Sequence, residues 1–99
     1  MNTQAEIISF LQHNRKFLSD HYHVSKIALF GSFARNEQRD DSDVDLLIEL
    51  ENGTENVHET KQSLREFLSS SFERSIDLAR EKYLKSYAKD QILKDAVYV

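Results

Sequence analysis

Apolar positions along the chain change their period repeatedly, and each change marks an element. Ile7, Leu11 and Leu18 recur at helical spacing, with Phe10 and Phe17 widening the stripe. Thr3 and Glu6 form a T-x-x-E capping box ahead of them, so the spacing predicts a helix from there to about Asp20. His21, Tyr22 and His23 follow as a connection. The apolar run Lys26 to Phe30 predicts a first, central strand. A short helix begins at Ser32 and passes through Ala34 and Arg35, and Asn36 to Ser42 is a polar loop. From Asp43 to Leu50 the pattern alternates with period two. Asp43, Asp45, Leu47 and Glu49 share one face of this second strand, and Val44, Leu46, Ile48 and Leu50 share the other, which is the core side.

Asn52-Gly53 marks a turn, and Asn56 with Glu59 reads as a second capping box. Val57, Leu64, Phe67 and Leu68 then describe an amphipathic helix to about Ser70, stopped by Ser69-Ser70-Ser71. Arg74 to Ala79 is a short third strand carrying Asp77 among Ile76, Leu78 and Ala79. A last helix, Tyr83 to Asp95, uses Leu84, Tyr87, Ala88, Ile92, Leu93 and Ala96, and Val97 to Val99 ends extended. The order α–β–α–β–α–β–α, without internal repeats, predicts a layered α+β or α/β architecture.

Composition narrows this picture. Ninety-nine residues, 39% of them hydrophobic, make one domain over 1–99 with a single modest core. Charged residues reach 30% without long like-charge blocks, which reads as globular rather than disordered. A formal net charge of −4 argues against autonomous binding to DNA or RNA. Cysteine is absent, so disulfides and thiol chemistry are excluded. No apolar run approaches a membrane span and no signal-peptide core opens the chain, so a cytoplasmic protein is expected. There is no proline, and only Gly31 and Gly53 offer positive φ without steric cost.

Chemistry concentrates in Gly31 to Leu50. Residues i and i+2 of a strand point the same way, so Asp43 and Asp45 aim two carboxylates together, about 6–7 Å apart along the chain. Such a pair repels itself, and Asp40 and Asp41 add to the repulsion. A hard divalent cation such as Mg²⁺ relieves it. The Gly31-Ser32 turn, following the apolar run Ile27 to Phe30, offers backbone N–H groups and a hydroxyl suited to a phosphate, and Ser32 also suits a helix N-cap. Metal-binding acids beside a phosphate cradle point to phosphoryl or nucleotidyl transfer. Arg35 suits either phosphate or the neighbouring acids. Asp77, flanked by apolar residues, needs a partner: a shared cation, or a salt bridge with Arg74 or Arg80. Arg80 and Lys82 themselves read as solvated charge.

Other metal readings fail. Asp41, Asp43 and Asp45 mimic the start of a calcium EF-hand loop, but Leu46 stands where Gly is needed and Asn52 where Glu is needed. His21 and His23, at i and i+2 without a nearby third ligand, make a poor zinc site.

Gly31-Ser32 followed after ten residues by Asp43-Val44-Asp45-Leu46 resembles the signature of the polymerase-beta-like nucleotidyltransferase superfamily. With Phe33-Ala34-Arg35 and Ser42 included, the string is similar to that of the minimal nucleotidyltransferases, many of which are antitoxins encoded beside a HEPN-domain toxin. The resemblance implies a small mixed three-stranded sheet with helices packed on it. It implies that Asp77 completes a metal-binding and catalytic triad with Asp43 and Asp45, holding two Mg²⁺ ions, and that Gly31, Ser32 and Arg35 meet the phosphates of ATP. It further implies AMP transfer to a tyrosine of a HEPN-domain ribonuclease toxin, with neutralisation by binding alone as the alternative. One departure stands out: many members have Gly after Ala-Arg, and here the residue is Asn36, which tolerates the left-handed region better than most.

Overall fold

The computed structural model describes residues 1–99. Helices α1 (Gln4–His13) and α2 (Arg15–Tyr22) lead into strand β1 (Val24–Phe30), the short α3 (Gly31–Ala34) and strand β2 (Val44–Leu50). Helix α4 (Val57–Phe72) returns the chain to β3 (Ile76–Arg80). A 3₁₀ turn (Glu81–Tyr83), α5 (Ser86–Asp95) and β4 (Val97–Tyr98) complete it. The strands form one mixed sheet in the order β3-β2-β1-β4. β1 is antiparallel to β2 and β4, and β2 is parallel to β3 through the α4 crossover.

The alternation in β2 behaves as its sequence predicts. Val44, Leu46, Ile48 and Leu50 enter the main core with Ile27, Leu29, Ile76 and Leu78, against Ile7, Leu11, Leu18, Leu64, Leu68 and Phe72 from the helices. Leu47 and its register partner Ala28 are buried outside that cluster, on the opposite face. Burying roughly a dozen large side chains at about 1.5–3 kcal/mol each is the main term holding helices to sheet.

Several boundaries depart from expectation, each for a local reason. The sheet has four strands rather than three, because the C-terminal residues pair along β1: Leu29 with Val97 and Ala28 with Tyr98, followed by a 3.0 Å bond from Val99 N to Ile27 O. The first helix is two helices. At Asn14 the backbone leaves helical geometry (φ −102°, ψ 10°), and its side-chain Nδ2 donates to Phe10 O at 2.9 Å. α2 then runs on through His21 and Tyr22, with the His21 ring stacked on Phe17 at 4.2 Å.

At the start of α4, Asn56 is left-handed (φ 52°) and makes no side-chain cap, so the second capping box does not form. The serine triplet does not stop α4. Ser71 Oγ donates back to Phe67 O within the helix, and the chain turns out only at left-handed Glu73. The predicted Tyr83–Asp95 helix is split by extended residues Leu84 and Lys85. Tyr87, expected on its apolar stripe, is instead 84% exposed, and α5 buries no residue fully. No helix is long and apolar enough to cross a membrane.

Candidate active site

The site lies where β1 ends and β2 and β3 begin. Val44 N donates to Ser75 O at 2.9 Å, which fixes the entry of the parallel pair. The register then sets Asp45 opposite Asp77 on β3 and opposite Phe30 on β1. In-register residues of neighbouring strands share a face at a strand spacing of about 4.8 Å. Asp45 and Asp77 therefore stand side by side, and the turn after Phe30 reaches Asp45 from the other flank. Asp43 sits one residue before β2. It and Asp77 are exposed, and Asp45 is half-buried.

Gly31 makes this approach possible. Its φ is +73°, and a Cβ added there would overlap Asp45 Oδ2 and stand 3.0 Å from Cγ. Glycine is required twice over, for the left-handed backbone and for the space. Ser32 is the second residue of α3, not its N-cap, because Gly31 already begins the helix. Ser32 O accepts from Glu37 N at 2.9 Å. Asn36 adopts the left-handed region (φ 57°), so the turn that glycine would serve survives with asparagine.

Burial pushes the Asp45 carboxyl up to about 6, Asp77 and then Asp43 add like-charge repulsion, and Arg35 offsets part of the rise. The ion pairs of the protein join Arg35 to Glu37 and Asp95 at 3.4 Å each, and Arg80 to Glu49 at 3.6 Å; none involves the three acids. Both expected salt-bridge partners of Asp77 are engaged elsewhere: Arg80 with Glu49, and Arg74 with main-chain carbonyls. Arg35 spans the rim. Its pairing with Glu37, then Asp95, raises its already high pKa, and it lies close enough to Asp45 to act on its charge.

Two residues outside the motif tie this region together, and no periodicity in the sequence marks either. Gln4 Nε2 donates to Phe33 O (3.1 Å) and Ala34 O (2.9 Å), capping the exit of α3. The Arg74 guanidinium binds Arg39 O, Asp40 O and Ser42 O, the loop that delivers Asp43. A polar side chain just before a strand is the only sequence signal for Arg74, and it equally fits a solvated residue.

The donor chemistry fits Mg²⁺. All three acids are hard oxygen donors without an ion-pair partner, and the like-charge repulsion that raises Asp45 is of the kind a divalent cation relieves. No three of the His, Cys, Asp and Glu side chains are gathered at coordinating distance. The expected three-carboxylate metal centre is therefore not preassembled in this structure. Cavity shape points elsewhere. A hollow of about 730 Å³, lined by His21, His23, Glu51 and Asn56 among others, lies past the far end of β2 and contains none of these acids. The chemistry of the side chains, rather than concavity, locates the site.

Comparison with known proteins identifies the family. Residues 11–99 match the nucleotidyltransferase domain family. A protein of Methanocaldococcus jannaschii assigned as a protein adenylyltransferase is 36% identical over 100 residues, with both chains fully covered. The protein adenylyltransferase MntA of Thermococcus cleftensis is 34% identical over 99 residues, covering all of this chain and 98% of its own. Among solved structures, a protein assigned as a minimal nucleotidyltransferase superposes with a TM-score of 0.78 at 24% identity, over 96% of this chain and 94% of that one. A toxin–antitoxin complex with AMP-PNP gives 0.68 at 22% identity, over 88% and 69%. These two likenesses show a shared fold.

Proposed function

This chain belongs to the nucleotidyltransferase domain family, and from that premise we propose that it is an antitoxin which transfers AMP from ATP to a tyrosine of a HEPN-domain ribonuclease toxin. One observation carries the reading: Asp45 and Asp77 stand in register on parallel strands, beside a glycine turn that admits only a hydrogen next to the Asp45 carboxylate. Full-length relatives named as protein adenylyltransferases support the reaction class. Solved toxin–antitoxin complexes of the same fold, one of them with AMP-PNP, support the partner and the nucleotide.

In this reading Asp43, Asp45 and Asp77 hold Mg²⁺, with two ions expected. When bound, the metal neutralises the triphosphate and lowers the pKa of the attacking hydroxyl. The residues of the chain do the rest. Amides of Gly31 and Ser32 and the Ser32 hydroxyl bind the terminal phosphates. Arg35, already at the rim, pairs with phosphate oxygens. The tyrosine oxygen attacks the α-phosphorus in line, the bond to pyrophosphate breaks, and Asp77 accepts the phenolic proton. A phenol with pKa near 10 needs such help. The added phosphodiester then repels RNA phosphate and obstructs the ribonuclease site.

The test is incubation of the toxin with this protein, ATP and Mg²⁺. The toxin is expected to gain AMP on a tyrosine and to stay inactive after the antitoxin is removed. A toxin of unchanged mass that recovers on separation would instead establish neutralisation by occlusion.

A further inference from the structure

The Arg74 guanidinium donates from all three of its nitrogens, and three of its five bonds go to the loop that delivers Asp43. Nη1 donates to Arg39 O (3.1 Å), Asp40 O (3.1 Å) and Ser42 O (2.8 Å). Nε donates to Met1 O (2.7 Å) and Nη2 to Asn2 Oδ1 (3.0 Å). The cation also lies 4.9 Å from the ring centre of Phe33, the buried side chain of α3. One side chain thus joins the N-terminal segment, the Gly31–Ala34 helix and the loop ending at Ser42.

The first half of that loop is held by Glu37 N to Ser32 O (2.9 Å) and Gln38 Nε2 to Asn2 O (3.1 Å). In its second half, Arg39 N to Ser42 Oγ (2.7 Å) and Ser42 N to Arg39 O (3.0 Å) close a tight turn on itself. The hydrogen bonds that attach residues 39–42 to the body of the protein come from Arg74. Its own backbone is held in turn, since Arg74 O accepts from Ser69 Oγ at 2.8 Å.

We infer that Arg74 is a positioning residue for the site: by gathering the carbonyls of residues 39, 40 and 42 it sets where the Asp43 carboxylate stands relative to Asp45 and Asp77. It touches neither substrate nor reacting atoms. The inference rests on the proposed role of the three acids for its functional meaning, and on the hydrogen bonds alone for its structural content. Lysine cannot replace it fully, because one ammonium offers three donors without the planar fork that spans these acceptors.

The experiment compares wild type, Arg74→Met, Arg74→Lys and Asn2→Ala, using amide hydrogen exchange and titration with Mn²⁺ as an Mg²⁺ substitute. Arg74→Met is expected to speed exchange at residues 39–44 at least tenfold, to leave α4 and the centre of β1 unchanged, and to weaken Mn²⁺ binding about 10–100-fold, as for other residues that orient metal ligands. Arg74→Lys should recover part of both effects, and Asn2→Ala, which removes only the bond from Nη2 to Asn2 Oδ1, should show neither. Exchange rising evenly across the molecule, or loop exchange and Mn²⁺ affinity both within twofold of wild type, would overturn the inference. Should Arg74→Met fail to fold, the graded comparison of Arg74→Lys with wild type decides by the same two readouts. Absence of Mn²⁺ binding in the wild type would count against the metal reading, and loop exchange would still decide for or against Arg74.

Discussion

Gly31 and Asp45 carry the tightest constraint in the molecule. Any side chain at 31 meets the Asp45 carboxylate and takes on a left-handed backbone, which costs a non-glycine residue about 1 kcal/mol or more. Gly31→Ala is therefore expected to lower the melting temperature by at least 4–8 °C, the shift that about 1 kcal/mol produces in a domain of this size. In an Asp45→Ala background the same change should cost less, because the overlap with the carboxylate is gone and only the backbone term and a 3.2 Å contact with the residue-45 Cβ remain; calorimetry of the four proteins measures that coupling. Asp45 also predicts a pH dependence. Its carboxyl titrates near 6 in the fold against 3.8 as its ordinary value, so between those values the folded state binds more protons than the unfolded one. Metal-free stability should then fall as pH rises from about 4 through 6, and level off above. After allowing for its partial exposure, the loss is about 1–2 kcal/mol. Denaturant unfolding across that range should show the fall in wild type and not in Asp45→Asn.

At the scale of elements, period and capping chemistry made most of the chain legible. The alternation from Asp43 to Leu50 assigned both faces of β2 correctly, and Thr3 caps α1 as its motif predicts, accepting from Glu6 N at 3.1 Å. What was not legible depended on distant partners. β4 is two residues long and exists because β1 offers it an edge, which no local signal at Val97 records. The same holds for Asn56 and the serine triplet, whose residue types suit several local geometries. At the candidate site, spacing brought Asp43, Asp45 and the Gly31 turn forward and resemblance added Asp77, which the register sets beside Asp45, but Arg74 and Gln4 act through main-chain carbonyls and leave no pattern. β4 yields a prediction of its own. Removing Val97–Val99 uncovers the outer edge of β1, whose alternate residues are apolar, so the shortened protein should melt lower and self-associate at concentrations where the full chain does not. Size-exclusion chromatography over a concentration series distinguishes the two.

Across the whole molecule, an acidic chain of net charge −4 concentrates repulsion at one end of its sheet. Binding a divalent cation there should stabilise the fold by mass action, by about 2.7 kcal/mol at a hundredfold excess over its dissociation constant. Asp43→Asn with Asp45→Asn should raise metal-free stability slightly and abolish that gain. Equal Mg²⁺-induced thermal shifts in the two proteins would speak against a carboxylate metal site. The central claim, that these acids transfer AMP rather than merely accompany an occluding surface, is tested most directly by one measurement: incorporation of ATP labelled at the α-phosphate into the toxin, by wild type and by the double variant, with toxin ribonuclease activity followed in the same samples. The account predicts label on the toxin and lasting inactivation with wild type, and neither with the variant. Full neutralisation by the unlabelling variant would contradict it.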